Sequence, residues 1–390
     1  MPTNPTWTRD TIWWHVYPLG FTGAAVRPAN DSERALTPRL RHIESWLDYL
    51  IELGCNGLAL GPIFQSRTHG YDTTDYFTID PRLGSLSDFD SLVATCHAKG
   101  IRIMLDGVFN HVASGHFPEL VLADHVFEGH ESLQTLDHSR PETAEMVRDV
   151  MKFWLDRGID AWRLDAAYAV PAEFWDSVIP EVQRDFPESW FIGEVIHGEY
   201  PAFASHIGSI TQYELWKATF SSLNDANFYE LDWCLQRHQQ LLSNFIPYTF
   251  IGNHDVTRIA SQVGAPKAAL ALTLLMTVPG IPAIYYGDEQ GFTGVKEERE
   301  GGDDAIRPMF PSSPFPPNPM FELHQRLIAF RRRHAWLVDA HVETLHLDNE
   351  HYRFRAHSGE AWVEVELWLT GQPRAVISAH DEVEIHVQLT

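Results

Sequence analysis

Cysteine is scarce in this 390-residue chain: Cys55, Cys96 and Cys234 are the only three, an odd number with no CxxC pair. That scarcity argues against a disulfide framework and a cysteine zinc site, and it suits a reducing cytoplasm. Long apolar runs are also missing, since no stretch reaches the roughly 18 residues that a bilayer span requires. The opening Met1-Pro2-Thr3-Asn4-Pro5 has neither the basic nor the apolar part of an export leader, so a soluble, unexported protein is expected. Basic side chains are outnumbered, with 29 Lys and Arg against 53 Asp and Glu and a net charge of -24. Such a surface repels phosphate backbones and anionic membranes, which argues for no nucleic acid and no membrane partner and favours a small neutral substrate. Oligomeric state is not specified.

Aromatic rings, by contrast, are plentiful, with 13 Trp and 22 Phe. Most such rings pack a core, and some can serve as platforms for the apolar faces of sugars. Short apolar runs at 11–17, 57–60, 102–106, 161–165, 190–194, 209–213, 248–252 and 283–286 alternate with longer amphipathic stretches, among them 41–53, 88–99, 142–156 and 265–277. Eight such alternations predict an α/β chain folded as a (β/α)8 TIM barrel over residues 1–335. The helix after the third strand is expected to start at a capping box, Ser139 to Glu142, with Pro141 in its first turn. Residues 110–138 then form a short excursion over the active face. The proline-rich stretch 308–319 reads as an ordered loop. Alternation at 362–368 and 382–387 marks residues 336–390 as a small C-terminal antiparallel β-domain. No solenoid repeat is present.

In a barrel of this kind the reacting groups sit at the carboxyl ends of the strands. Polar residues that end apolar runs are therefore the candidates. They are Asp106, Asn110 and His111 on the third strand, Arg163 and Asp165 on the fourth, Glu194 on the fifth, and Asn253, His254 and Asp255 on the seventh; His69, Tyr71 and Asp72 follow the second. Several carboxylates with one Arg, several His and an aromatic describe either glycoside hydrolysis or a divalent-metal sugar isomerase. Arg163, two residues before Asp165, counts against the metal, because a guanidinium keeps its charge and repels a cation.

In their order these residues resemble the α-amylase family, glycoside hydrolase family 13. The resemblance rests on Asp106-Gly-Val-Phe-Asn110-His111, Gly158-Ile-Asp-Ala-Trp-Arg163-Leu-Asp165, Gly193-Glu194-Val195 and Asn253-His254-Asp255. Val16-Tyr-Pro18, Gly70-Tyr-Asp-Thr-Thr-Asp75-Tyr and Gly280-Ile-Pro-Ala-Ile-Tyr-Tyr-Gly287-Asp-Glu289 flank them in the expected places.

The resemblance implies roles. Asp165 matches the nucleophile and Glu194 the general acid and base of a retaining hydrolysis of α-linked glucosides, a pair about 5 to 5.5 Å apart. Asp255 matches the third carboxylate, which grips the 2- and 3-hydroxyls of the distorted sugar. Arg163 matches the residue that orients Asp165, Asp106 its partner, and His111 and His254 the hydroxyl-binding imidazoles. Tyr71 matches a stacking platform, with His69, Asp72 and Asn253 beside it as substrate-binding residues. No organic cofactor is implied. Calcium at Asn110 belongs to members with a long excursion, which this chain lacks.

For some of these residues a plain structural reading stands beside the functional one. Asp106 could be a buried partner of Arg163 without substrate contact, and Asn110 a turn residue. His197 and His206 read as solvated or core histidines. Asp303, Asp304 and Arg307 fit a salt-bridged turn or a wall of the cleft. Two departures from the family also bear on substrate: Asp165-Ala-Ala-Tyr168-Ala169 lacks the Lys-His pair of starch-cleaving amylases, and Leu133-Gln-Thr-Leu-Asp137 assigns no subgroup. Short intracellular maltooligosaccharides are therefore expected as substrates. A transglycosidase is the alternative within the enzyme class, and a non-catalytic sugar-binding protein on the same barrel the alternative outside it.

Overall fold

Each of the eight apolar runs becomes a strand of one parallel sheet. A computed structural model describes residues 4–381 and 383–389 of the chain. Met1 to Thr3, part of the expected leaderless start, and Glu382, the first residue of the 382–387 run, lie outside the described residues, as does Thr390. The strands are β1 (Trp13–Val16), β2 (Gly57–Leu60), β3 (Arg102–Gly107), β4 (Ala161–Leu164), β5 (Trp190–Gly193), β6 (Ser209–Ile210), β7 (Tyr248–Phe250) and β8 (Ile281–Tyr285). They pair in the order β6-β5-β4-β3-β2-β1-β8-β7. A parallel bridge from Thr211 to Tyr248 then joins the two ends and closes the barrel.

Helices follow the strands as α1 (Leu47–Leu53), α2 (Leu86–Ala98), α3 (Pro141–Asp156), α4 (Ile179–Asp185), α5 (Tyr200–Ile207), α6 (Tyr213–Asp225), α7 (Tyr229–Leu241), α8 (Ala265–Thr277) and α9 (Pro319–Arg333). The expected helix over 41–53 is two pieces, Leu40–Glu44 and α1, broken where the Trp46 indole donates to the carbonyl of Pro311 at 3.0 Å. The capping box expected at Ser139 is not formed. Ser139 donates its hydroxyl to Asp137 Oδ1 at 2.6 Å, and Arg140 is the N-cap with no side-chain bond, although Pro141 does open the helix. A capping box forms instead at Ser85 and Asp88, at the start of α2.

Strand alternation sorts the side chains into two sets. Leu58, Leu60, Ile103, Leu105, Trp162, Leu164 and Phe191 point outward into the core shared with the helices. Trp13, Ala59, Met104, Ala161, Trp190, Ile192, Tyr248, Phe250, Ile281 and Ala283 fill the interior as a separate apolar cluster. Trp13 and Trp190 stack there with centroids 6.0 Å apart. Gly57 is required beside them, because a Cβ at that position would come within 2.6 Å of the Trp13 ring. Two residues further along β4 the same inward face carries Arg163, and two further again Asp165.

The excursion is not a plain loop. His111–Ala113, Leu133–Leu136 and Val121–Val126 pair into a small antiparallel sheet with Leu133–Leu136 in the middle. Helix α8 is buried along nearly all its length, since it packs on the neighbouring helices and on a second sheet, which explains its lack of a polar face. That sheet is an antiparallel meander of β9 (His341–Leu347), β10 (His351–Ser358), β11 (Ala361–Trp368), β12 (Arg374–Ala379) and β13 (Ile385–Val387). Among the described residues no helix is long and apolar enough to cross a membrane.

Candidate active site

Register places the polar layer directly above the apolar interior. Met104 pairs with Ala161, and one inward step further Asp106 pairs with Arg163. Arg163 Nη1 donates to both oxygens of Asp106 at 2.7 Å and to Asp165 Oδ1 at 3.2 Å. Its Nη2 lies 2.6 Å from Glu194 Oε1. All four side chains are less than a tenth exposed. Three buried carboxylates around one cation are under-compensated, so ionising all three is costly. Burial and the charge of Glu194 accordingly push the Asp165 carboxyl well above the usual range, against the pull of Arg163. Burial likewise raises Asp106, with Arg163 opposing.

Glu194 has further donors. The Tyr213 hydroxyl donates to Oε1 at 2.9 Å and the amide of Ala166 to Oε2 at 3.0 Å. Ala166 adopts the left-handed conformation, with φ 45° and ψ 38°, which a residue with a Cβ enters at a cost. Its strained turn, directly after Asp165, aims its N–H across to β5. Asn253 Nδ2 donates to the Tyr213 oxygen at 2.9 Å, and Asn253 Oδ1 accepts from the amide of Asp255, so the seventh-strand motif and Glu194 form one network.

Asp255 is more open than the other carboxylates and stands between His254 and Arg307. His254 Nε2 lies 2.9 Å from Oδ2, and Arg307 Nη2 donates to Oδ1 at 2.9 Å. Burial alone would raise its carboxyl, yet the charges of His254 and Arg307 outweigh that and hold it below the ordinary range. The Tyr71 hydroxyl bonds both Asp106 Oδ2, at 3.0 Å, and His254 Nε2, and its ring stacks on His254 at 5.3 Å. His111 is buried with Nε2 unpartnered, and burial pushes it down to about 3, so it is a neutral imidazole.

The structure thus brings Tyr71, Asp106, Arg163, Asp165, Glu194, Asn253, His254 and Asp255 into one connected group. His69 sits at its edge, its Nδ1 accepting from the Tyr71 amide at 3.2 Å. Asp72 turns back on its own loop, where both oxygens accept from Thr68. Asn110 is buried with its amide on His111 Nδ1 at 3.1 Å. Among the described residues, the only trio of His, Cys, Asp or Glu side chains close enough to share an ion is His346, Asp348 and His351, on the β9–β10 hairpin. His197 is exposed, while His206 pairs with Asp176 at 2.9 Å. Asp304 pairs with Arg27, and Asp303 lies 3.0 Å from Arg307, which itself reaches Asp255.

Two members, His15 and Tyr213, escaped sequence reasoning. His15 follows Trp13 on the inward face of β1 and meets the His254 ring edge at 5.1 Å, a placement that parity alone could have flagged. Tyr213 lies past the end of β6, on the first turn of α6. Arg307, read from the sequence as part of a salt-bridged turn or a wall of the cleft, pairs with Asp303 and also reaches Asp255 from the loop after β8.

The chain is similar to known proteins of one family. The alpha-amylase family, described as "Alpha amylase, catalytic domain", matches residues 26–125 and 122–312. A cyclomaltodextrinase of Geobacillus thermopakistaniensis (strain MAS1) is 29% identical over 397 residues, covering 89% of this chain and 66% of its own length. Neopullulanase 2 of Thermoactinomyces vulgaris is 29% identical, covering 89% and 67%. The chain therefore spans about two thirds of the length of these relatives. The solved structure of a cyclic α-maltosyl-(1→6)-maltose hydrolase from Arthrobacter globiformis, in complex with cyclic α-maltosyl-(1→6)-maltose, superposes with a TM-score of 0.80 at 25% identity. It covers 94% of this chain and 92% of that one. With its barrel, its ordered motifs and a family match over most of its length, the chain belongs to the α-amylase family of glycoside hydrolases.

Proposed function

We propose that the protein is a retaining glycoside hydrolase that cleaves α-linked maltooligosaccharides, with Asp165 as nucleophile and Glu194 as general acid and base. The observation that carries this reading is the single Arg163 guanidinium that holds Asp106, Asp165 and Glu194 together at the barrel mouth. Arg163 keeps its proton, so at least one carboxylate can stay ionised without a metal. For this chemistry Asp165 has to attack as a carboxylate and Glu194 has to supply a proton to the departing oxygen.

In the first step the Asp165 oxygen attacks the anomeric carbon while Glu194 gives its proton to the departing glycosidic oxygen. That leaves a glycosyl ester on Asp165 and a carboxylate on Glu194. In the second step this carboxylate takes a proton from water, whose oxygen displaces Asp165 and restores the original configuration. Asp255, His254 and His111 hold the sugar hydroxyls, and those contacts strengthen as positive charge develops at the ring. Tyr71 serves as the platform beneath the sugar.

The substrate class rests on the names of the relatives: a cyclomaltodextrinase, a neopullulanase and a hydrolase of cyclic maltosyl-maltose. Three free, buried thiols fit a cytoplasmic setting. Hydrolysis of maltotriose by Asp165→Asn and Glu194→Gln tests the assignment. A loss of several orders of magnitude in each supports it, and near-normal turnover in either refutes it.

A further inference from the structure

Glu128 and Tyr168 belong to different loops, yet the Tyr168 hydroxyl donates to Glu128 Oε1 at 2.6 Å. Glu128 is at the tip of the excursion, in the turn Phe127–Gly129, and takes left-handed dihedrals of φ 49° and ψ 31°. A non-glycine residue holds that conformation where its surroundings fix it. Two contacts do so. The Phe127 ring stacks on His111 with centroids 4.5 Å apart and planes 13° from parallel, and the Glu128 carboxylate takes the Tyr168 hydroxyl.

Tyr168 is placed by the candidate acid. Its amide donates to the carbonyl of Glu194 at 3.2 Å, and its ring lies 5.3 Å from His197, three residues beyond Glu194. A general acid stands on the side of the departing group, so Tyr168 and His197 flank that side. Burial and the bond to Glu128 both raise the Tyr168 hydroxyl, which therefore remains a donor.

We propose that the Glu128–Tyr168 bond is a strut that walls the leaving-group side of the cleft and selects α-glucosides with one or two sugars beyond the scissile bond over longer chains. This rests on the hydrolase reading above. One short turn thereby connects the imidazole of the bound sugar's side to the wall that the departing sugar meets.

Tyr168→Phe, which keeps the ring, and Glu128→Ala each remove the strut. The ratio of kcat/KM for amylose to that for maltotriose is expected to rise about fivefold in each, the size of one hydrogen bond, with no further rise in the double variant. An unchanged ratio in both single variants, with thermal midpoints intact, overturns the proposal. Hydrogen exchange at the 126–130 amides gives a readout independent of catalysis. Faster exchange in both variants supports the strut, and unchanged exchange overturns it. If the wild type cleaves neither sugar the hydrolase reading fails, and exchange alone decides whether the tip is held.

Discussion

Arg163 Nη2 lies 2.6 Å from Glu194 Oε1 while Nη1 of the same guanidinium serves Asp106 and Asp165. A planar fork can address three carboxylates in fixed directions, whereas an ammonium is a point charge on a flexible stem. Arg163→Lys should therefore cost at least about 3 kcal/mol, or roughly a hundredfold in kcat/KM, despite keeping the charge. Steady-state kinetics with circular dichroism as a folding control check this. A loss below about threefold would mean that charge alone is enough.

Stability should respond in the opposite direction at Asp165. Its carboxyl is raised in the fold by burial and by Glu194, so the folded state binds that proton more tightly than the unfolded one. Below the ordinary carboxylate range the group contributes nothing, and stability is lost as pH climbs from there through the raised value. Asp165→Asn removes this penalty. Its thermal midpoint is expected to exceed that of the wild type at pH 7, by about 2 °C for each kcal/mol relieved, and to converge with it near pH 4.

Tyr213 has no place in the attack itself, but its hydroxyl links Glu194 to Asn253. Tyr213→Phe removes one donor from a buried carboxylate and leaves the Asn253 amide without its acceptor. A fall of about tenfold in kcat, with a smaller change in KM, is expected from steady-state kinetics on maltotriose.

Asp255 is held ionised against the effect of burial by His254 and Arg307. A depressed carboxyl loses its contribution as pH falls through the folded value, so removing a cation moves that loss to higher pH. Arg307→Gln should shift the acid limb of kcat/KM upward and raise KM. A pH profile unchanged from the wild type would show that His254 suffices.

Much of the site is legible in the sequence because strand parity is. Ala161, Arg163 and Asp165 alternate with Trp162 and Leu164, and the same period carries Trp190 and Ile192 to Glu194. An apolar residue two or four positions back therefore marks each of these polar groups as facing the barrel axis. What is not legible depends on chain reversals and distant partners. Tyr213 reaches Glu194 from a helix turn, and Arg307 reaches Asp255 across 52 residues of sequence. At the break before α1 the Trp46 indole bonds the carbonyl of Pro311, a distant partner that no local pattern encodes. Ser139 has two local partners to choose from, and Asp137 wins over the helix start.

The central claim is a covalent sugar on Asp165. Incubating Glu194→Gln with an activated 5-fluoro-α-glucosyl fluoride allows the first step without the acid and stalls the second. Peptide mass spectrometry should then show one fluoroglucosyl increment on the peptide carrying Asp165. An increment on another residue, or steady turnover that releases a β-configured product with no adduct, would contradict the account.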